Sequence, residues 1–516
     1  MRHDARERSR TSPIRTPGRI TWDIIADGLA LVLALVWFAG LAPQALGARL
    51  STDECFHAFM SQWIAAHGAL PRTIPELYSG FSYYYPPLYH ILGAAAVIVG
   101  GAAGFKLLNL AITAVLLFAI AILCRRLGSA AAGRWAVCLC VANAWLGVHA
   151  VRMYVEQLTT LLVVTALLMM LVVRRSQHAR SAVVLGVVIG LALVAKHSSI
   201  ALVAITLGLA GFYALRGERA VGRHFAYAAV TGVAIALPMF VRNQLFYGSP
   251  IYPALAPDLH PLLYALNKAT FTPSPGSFYR QMGLYIGAGI GVLTLGALSI
   301  AIMRRRATLA IGLIAVCLTL IAMAPLQPLL DSRHLLPVIV ALAVLGALVV
   351  AEALSARRSL MVACDIAMLV VAAYFVATLQ NYRVYLDAPA ELDPVMQAVR
   401  EHVPERATVL SLYTYDTLFY TGRAATWPIP WGQASHPVEM FLTADCDSAL
   451  TALRYHRIQY ALVPNVAQGE AFNGANYPRA FVECMAQLSR SGRILVRWTS
   501  NTTTLIEVPE RADAPW

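Results

Sequence analysis

A polytopic α-helical membrane protein with a C-terminal soluble α/β domain is the fold class that three observations predict. Hydrophobic residues make up 58% of the 516 and charged ones 13%, about half the roughly 25% of soluble domains. Apolar runs close to the ~20 residues that cross a bilayer recur from residue 24 to residue 379. After Gln380 the composition turns to that of an ordinary soluble domain.

Residues 1–23 form a basic cytoplasmic tail carrying Arg2, Arg6, Arg8, Arg10, Arg15 and Arg19, and the apolar run Ile24–Leu41 follows. Basic residues before an apolar core also describe a signal peptide. This run is long enough to span, however, and cleavage near Ala48 would strand Asp53-Glu54 at a new terminus. It reads as an uncleaved first helix with its N-terminus in the cytoplasm. A long outer loop occupies about 42–106. Further spans are expected at about 105–123, 135–150, 157–173, 182–195, 199–215, 225–240, 282–303, 308–325, 335–353 and 359–379.

Arginine placement arbitrates the remaining piece, Leu88–Gly101, which is short and ends in Gly100-Gly101. If it lies in the interface or dips in, then Arg125-Arg126-Arg134, Arg174-Arg175-Arg180, Arg216-Arg219-Arg223, Arg304-Arg305-Arg306 and Arg357-Arg358 all fall on the cytoplasmic side. Counting it as a span reverses every one of them. The positive-inside rule therefore favours about eleven transmembrane helices, a membrane domain over 24–379, and residues 380–516 outside. The net charge of +13 is mostly this arginine. It marks topology and contact with anionic membrane lipids rather than nucleic acid, because no single basic face interleaved with aromatics occurs. High Ala and Arg usage points to a GC-rich bacterial genome, hence to the bacterial inner membrane with the outer face periplasmic.

In the terminal segment, Asp393-Pro394 starts a helix with an N-cap acid and a first-turn proline. Strand-like runs at Ala407–Tyr413, Tyr460–Pro464, Arg493–Thr499 and Thr502–Val508 alternate with helical ones at about 446–457 and 478–491. Cys446 and Cys484 could pair there if the compartment is oxidising. Cys124, Cys138, Cys140, Cys317 and Cys364 lie in or beside spans as small packing residues. The cysteines show no metal-ligand spacing.

Under this topology the unusual polar residues gather on the outer face. Asp53-Glu54 is foremost, since an acid at the membrane edge must be solvated, paired or used. If Cys55–His67 is an amphipathic helix, Asp53 and His57 lie one turn apart on one face. The plainer alternative is an acid that merely caps an interfacial helix. Tyr84, Tyr85 and Tyr89 belong to an aromatic run of the kind that gathers at interfaces regardless of function. Pro86-Pro87 nonetheless fixes an extended entry that could hold Tyr85 and Tyr89 toward a cavity. Arg152 and Glu156 have i,i+4 spacing and read either as a local helix salt bridge or as part of a site. Lys196-His197, Arg242 and Arg333-His334 are cations on the side that the rule keeps poor in arginine. Lys196, Arg242 and Arg333 could together present an anion site, although each alone could snorkel to a headgroup.

Taken in order, Asp53-Glu54-x-x-His57, Tyr85-Pro86-Pro87-Leu88-Tyr89, Arg152-x-x-x-Glu156, Leu193-Val194-Ala195-Lys196 and a trailing soluble domain resemble the GT-C glycosyltransferases. Within them the likeness is to protein O-mannosyltransferases and lipid A aminoarabinose transferases. The resemblance implies a sugar donor carried on polyprenyl phosphate, Asp53 as the base facing the acceptor, Glu156 as the second outer-loop acid, and Lys196 near the lipid phosphate. There are two departures. Tyr85-Pro86 stands where the aminoarabinose transferases have Glu-Lys before the proline, which weakens the carry-over of their donor specificity and of a metal site using that glutamate. Position 57 is His where that branch has Tyr.

The chemistry fits the residues. A polyprenyl phosphate is already a leaving group, so one carboxylate that takes the acceptor's proton suffices, with cations receiving the developing phosphate charge. Attack opposite the phosphate inverts the anomeric centre, whereas hydrolases need two opposed carboxyls. Glu54 or Glu156 would orient Asp53, the acceptor or His57; donor phosphate would meet Lys196, Arg242, Arg333 and His334; His57, Tyr84, Tyr85, Tyr89 and Arg152 would contact substrate. No cofactor is required, and a divalent metal, though it could be accommodated, is not demanded by the spacings. The expectation is an inverting glycosyltransferase acting on a hydroxyl of a glycolipid, polysaccharide or protein. The alternatives are a lipid-linked saccharide transporter or flippase, which predicts ionisable or broken positions at the midplane and internal symmetry, and an outer-face polymerase or ligase, which does not predict the early acidic pair.

Overall fold

The structure, a computed structural model, describes residues 17–78, 80–252, 336–378, 392–427, 439–443, 445–466 and 476–510. The spans expected at 282–303 and 308–325, and Arg333 and His334, lie outside the described residues.

Helix α1 (Pro17–Gly47) leads to α2 (Thr52–His67), which closes on Gly68 in the left-handed region. A short antiparallel pair follows, β1 (Thr73–Ile74) and β2 (Phe81–Ser82). Helix α3 (Leu88–Leu127) is broken at Gly100 and at Gly101, where φ is 60° and ψ −150°. Its first limb folds back on the second. A Cβ at Gly104 would come 2.3 Å from the Ala96 carbonyl oxygen, and one at Gly93 2.6 Å from the Phe105 ring. Glycine alone permits that turn and that approach, so Leu88–Val99 packs against the start of the second limb.

The straight span expected at 135–150 is replaced by two helices, α4 (Ala130–Val141) and α5 (Ala144–Val151), bent by 72°. Asn143 leaves helical geometry and its side chain accepts from Leu146 N at 2.9 Å, opening a new helix inside the apolar run. Then come α6 (Val155–Ser176), α7 (Ala179–Ala195), α8 (Ile200–Leu215), α9 (Arg219–Tyr247), α10 (Leu336–Leu354) and α11 (Arg358–Ala377). Small residues let α7 and α9 approach closely, with Gly186 against Ala228 and Thr231. Among the described residues seven helices are long and apolar enough to cross a membrane, or eight if α4 and α5 form one bent span. The chain is a polytopic helical membrane protein.

Arg134, read from sequence as one of the loop arginines that mark topology, is instead neutralised between helices. Its guanidinium meets Asp365 of α11 at 2.9 Å and Asp27 and Asp23 of α1 at 2.9 and 3.3 Å. Asp365 also accepts from the indoles of Trp22 (2.8 Å) and Trp135 (2.6 Å). A buried ion pair is tolerable only when its remaining hydrogen-bonding capacity is satisfied this way.

After the membrane helices come α12 (Leu392–His402), β3 (Thr408–Leu410), α13 (Thr414–Thr421), β4 (Ala424–Thr426), α14 (Glu439–Leu442), α15 (Cys446–Tyr455), β5 (Tyr460–Pro464), α16 (Arg479–Arg490), β6 (Leu495–Thr499) and β7 (Thr503–Glu507). The strands form one sheet in the order β4-β3-β5-β7-β6, parallel on the β4-β3-β5 side and antiparallel beyond. A disulfide joins Cys446 of α15 to Cys484 of α16. The strand expected over Ala407–Tyr413 ends at Leu410, because Ser411 accepts from Tyr413 N and from the Thr417 hydroxyl, both at 3.0 Å, and turns the chain into α13.

This sheet is joined to the loop after α2. Tyr78 N donates to Ala425 O and Ala425 N to Glu76 O, both at 2.9 Å. Phe56, Leu77, Tyr78, Phe81, Tyr83 and Tyr84 share one apolar cluster with Leu410, Leu418 and Trp427. The packing fixes α2 and the aromatic run against a folded support.

Candidate functional site

The site is built on the first turn of α2. Ser51 precedes the helix and Glu54 closes a capping box, its carboxylate accepting from Ser51 N at 2.8 Å and from Ser51 Oγ at 2.9 Å. Two more donors arrive from 98 and 99 residues away: Arg152 Nη1 at 2.6 Å and Met153 N at 2.9 Å. Glu54 is fully buried. Its two oxygens thus meet four donors. Asp53, its neighbour on the same turn, is half-buried.

Arg152 caps the end of α5, and its ion pair with Glu54 joins α5 to α2 across the chain. Glu156, buried in the first turn of α6, meets Lys196 at 2.8 Å. Lys196 is the residue on which α7 ends. The two cross-element ion pairs thus tie α2, α5, α6 and α7 around one region.

The aromatic run also packs against α2. Tyr84 and Tyr85 are stacked at 5.1 Å, Tyr85 contacts Phe56 at 4.9 Å, and the His57 ring stands at right angles to Tyr89 at 5.4 Å. Tyr89 Oη donates to Asn109 Oδ1 at 3.4 Å, and Asn109 Nδ2 donates to the carbonyls of His149 (2.8 Å) and Arg152 (2.6 Å). His57 Nδ1 lies 2.8 Å from His90 Nε2.

Arg242 of α9 donates to the carbonyls of Pro71 (2.6 Å) and Tyr83 (3.0 Å), and its guanidinium lies over the Tyr83 ring at 5.6 Å. It braces the outer loop. Carbonyls are neutral acceptors, so this leaves the guanidinium without a carboxylate partner among the described residues.

Sequence reasoning passed over His90, Lys106, Asn109 and Asp416. Lys106 is buried and donates to Ala48 O; Asn109 is a fully buried amide within an apolar run. Both carried the signal of a polar residue inside a span. Asp416 carried none. It comes from α13, is fully buried, and faces the start of α2, with Oδ1 3.7 Å from Cys55 Sγ. Burial pushes its carboxyl up to about 6, against the opposing pull of the Thr52 hydroxyl and Arg49. Among the described residues no group of three or more His, Cys, Asp or Glu is arranged to hold a metal.

A family model of Alg9-like mannosyltransferases matches residues 95–443, well over half of the chain. The chain belongs to the Alg9-like mannosyltransferase family. It is therefore a GT-C glycosyltransferase, as the ordered set of motifs along the chain indicated. Solved structures of the same fold include the archaeal oligosaccharyltransferase AglB from Archaeoglobus fulgidus in complex with an inhibitory peptide and a dolichol-phosphate. The TM-score is 0.64 at 14% identity, over 87% of this chain and 70% of that one. ArnT from Cupriavidus metallidurans, bound to undecaprenyl phosphate, matches with a TM-score of 0.62 at 15% identity over 96% of this chain and 99% of its own. Its apo state matches at 0.61, also at 15% identity, over 95% and 98%. No curated protein matches the chain in sequence. This member of the Alg9-like family thus places its acidic pair on a helix clamped between the membrane helices and the terminal sheet.

Proposed function

We propose that this glycosyltransferase moves a sugar, with inversion, from a polyprenyl-phosphate donor to a hydroxyl of a glycolipid, polysaccharide or protein. The reaction would take place at the periplasmic face of a bacterial inner membrane. The observation that carries the reading is the division of the acidic pair. Four donors hold Glu54, so the half-buried Asp53 is the member turned to a reactant. In this reading Asp53 takes the acceptor's proton as the sugar's anomeric carbon leaves the phosphate.

Lys196 and Arg242, with Arg333 and His334 from outside the described residues, are proposed to receive the phosphate charge. Lys196 would exchange Glu156 for the phosphate, and Arg242, which meets no carboxylate among the described residues, would add its charge. Tyr84, Tyr85, Tyr89, His57 and Arg152 line the proposed substrate side. In this reading the chain's own side chains carry both the proton transfer and the phosphate charge. Support for the donor class comes from the two fold relatives described with dolichol-phosphate and undecaprenyl phosphate. The family makes mannose the first sugar to test. The Cys446–Cys484 disulfide supports an oxidising compartment for residues 380–516, and with it the topology of about eleven spans and a cytoplasmic N-terminus.

The test is transfer of labelled mannose from undecaprenyl-phosphate mannose to extracted glycolipid, by wild type and Asp53→Asn in proteoliposomes. Wild type transfers; the variant binds donor and does not. Equal transfer by both would remove Asp53 from the chemistry.

A further inference from the structure

Tyr83, His90 and His57 form a hydrogen-bonded chain. Tyr83 Oη lies 2.8 Å from His90 Nδ1, and His90 Nε2 lies 2.8 Å from His57 Nδ1. All three side chains are buried, Tyr83 at 0% exposure, His90 at 1% and His57 at 6%.

The chain has one direction. Among the described residues, His90 is the only hydrogen-bond partner of the Tyr83 hydroxyl. Were that hydroxyl the acceptor, its own proton would be buried without a partner, which is the less favourable arrangement. Tyr83 therefore donates to His90 Nδ1. A neutral imidazole with an acceptor at Nδ1 carries its proton on Nε2, so His90 donates onward to His57 Nδ1. The same rule leaves His57 with its proton on Nε2.

The head of the chain is itself fixed. Tyr83 O accepts from Tyr247 Oη at 2.7 Å and from Arg242 at 3.0 Å. Burial raises the phenol above its ordinary value, outweighing the pull of Arg242, so it stays a donor.

His57 follows Asp53 by one helical turn, so the two side chains share a face of α2. We propose that the Tyr83–His90–His57 chain sets His57 as an Nε2–H donor to the Asp53 carboxylate, making His57 and His90 positioning residues for that acid. This rests on the transferase reading, in which Asp53 is the base. The physical sense is direct. A base must aim one carboxylate oxygen at the acceptor hydroxyl, and a fixed neutral donor on the other oxygen orients it without cancelling its charge. The opposite tautomer of His57 would turn a lone pair toward the carboxylate and push it away.

The test uses the full-length protein in nanodiscs with 15N-labelled histidine, together with transfer kinetics from undecaprenyl-phosphate mannose. The expected result is the Nε2–H signature for His57 in wild type. Tyr83→Phe, which keeps the ring and removes the donor, is expected to give a tautomer mixture at His57. In the same variant kcat falls about tenfold, a barrier rise of about 1.4 kcal/mol, while KM stays within about twofold. His57→Gln, whose amide can still donate, is expected to retain more of kcat than His57→Leu. The Nδ1–H signature in wild type, or Tyr83→Phe with tautomer and kcat both unchanged, would overturn the proposal. Equal kcat loss in His57→Gln and His57→Leu would overturn the donor role. Absence of transfer by wild type with the Nε2–H signature present would overturn the transferase reading and the Asp53 role, while upholding the directed chain.

Discussion

Replacing Arg152 with methionine removes the charged partner of Glu54 while keeping much of the side chain's bulk. The carboxylate is fully buried, and breaking a buried pair from one side costs about 3–5 kcal/mol because the remaining charge is left uncompensated. Glu54 keeps three neutral donors, Ser51 N, Ser51 Oγ and Met153 N, so the low end, about 3 kcal/mol, is expected. The unfolding midpoint in mixed micelles measures the loss. Glu54→Gln is expected to cost a similar amount, since it strands Arg152 and turns an amide donor toward donors. The double variant should cost less than the sum of the two, with a coupling energy above about 1.5 kcal/mol. A loss below about 1 kcal/mol in Arg152→Met, or strict additivity, would refute the view that this pair holds α2 to α5.

Asp416 gives a pH-dependent prediction. Its carboxyl is raised from 3.8 to about 6, so between those values the folded state binds more protons than the unfolded one, and stability falls as pH rises. Above pH 6 the buried charge costs about 3 kcal/mol. Asp416→Asn should therefore be more stable than wild type at pH 7.5 and lose most of that advantage by pH 4; a gap that does not move with pH in denaturation curves argues against it. Reducing the Cys446–Cys484 disulfide, which closes a 38-residue separation, should lower the stability of the terminal segment by about 4 kcal/mol on the loop-entropy scale, read by limited proteolysis with and without reductant. Asp365→Asn should lower the unfolding midpoint by removing the buried carboxylate that Arg134, Trp22 and Trp135 share, by less than the ~3–5 kcal/mol of a fully stranded charge because Asp27 and Asp23 still meet Arg134, and leave the KM of the surviving enzyme unchanged; a rise in KM would give this network a role in substrate binding.

The membrane part of the fold was legible because span length and apolarity are set by the bilayer itself. Leu336–Leu354 and Arg358–Ala377 announce themselves in that way. The break that ends Leu88–Val99 was legible too, because Gly100-Gly101 marks it in the sequence. What stayed hidden were breaks and partners set by single side chains. Asn143 bends a run that reads as one span, and Ser411 ends a strand in favour of α13. The acidic pair stood out in the sequence, but the hold on Glu54 did not, since its partner Arg152 lies 98 positions away. Asp416 and Tyr415 reach α2 from more than 350 positions downstream, and no local pattern carries that information. Arg152 and Glu156 show the limit of local spacing: the i,i+4 pattern does not reveal that Arg152 ends one helix and Glu156 begins the next, or that they also reach Glu54 and Lys196.

The central claim is that Asp53 is the reacting member of the pair and Glu54 the holding one. Single-turnover transfer from undecaprenyl-phosphate mannose, measured for Asp53→Asn at saturating donor with binding followed separately, tests it most directly. The account predicts donor affinity near that of wild type and a transfer rate reduced by about 10²–10⁴, the usual scale for losing a general base. A transfer rate within about threefold of wild type, in protein that binds donor normally, would contradict it.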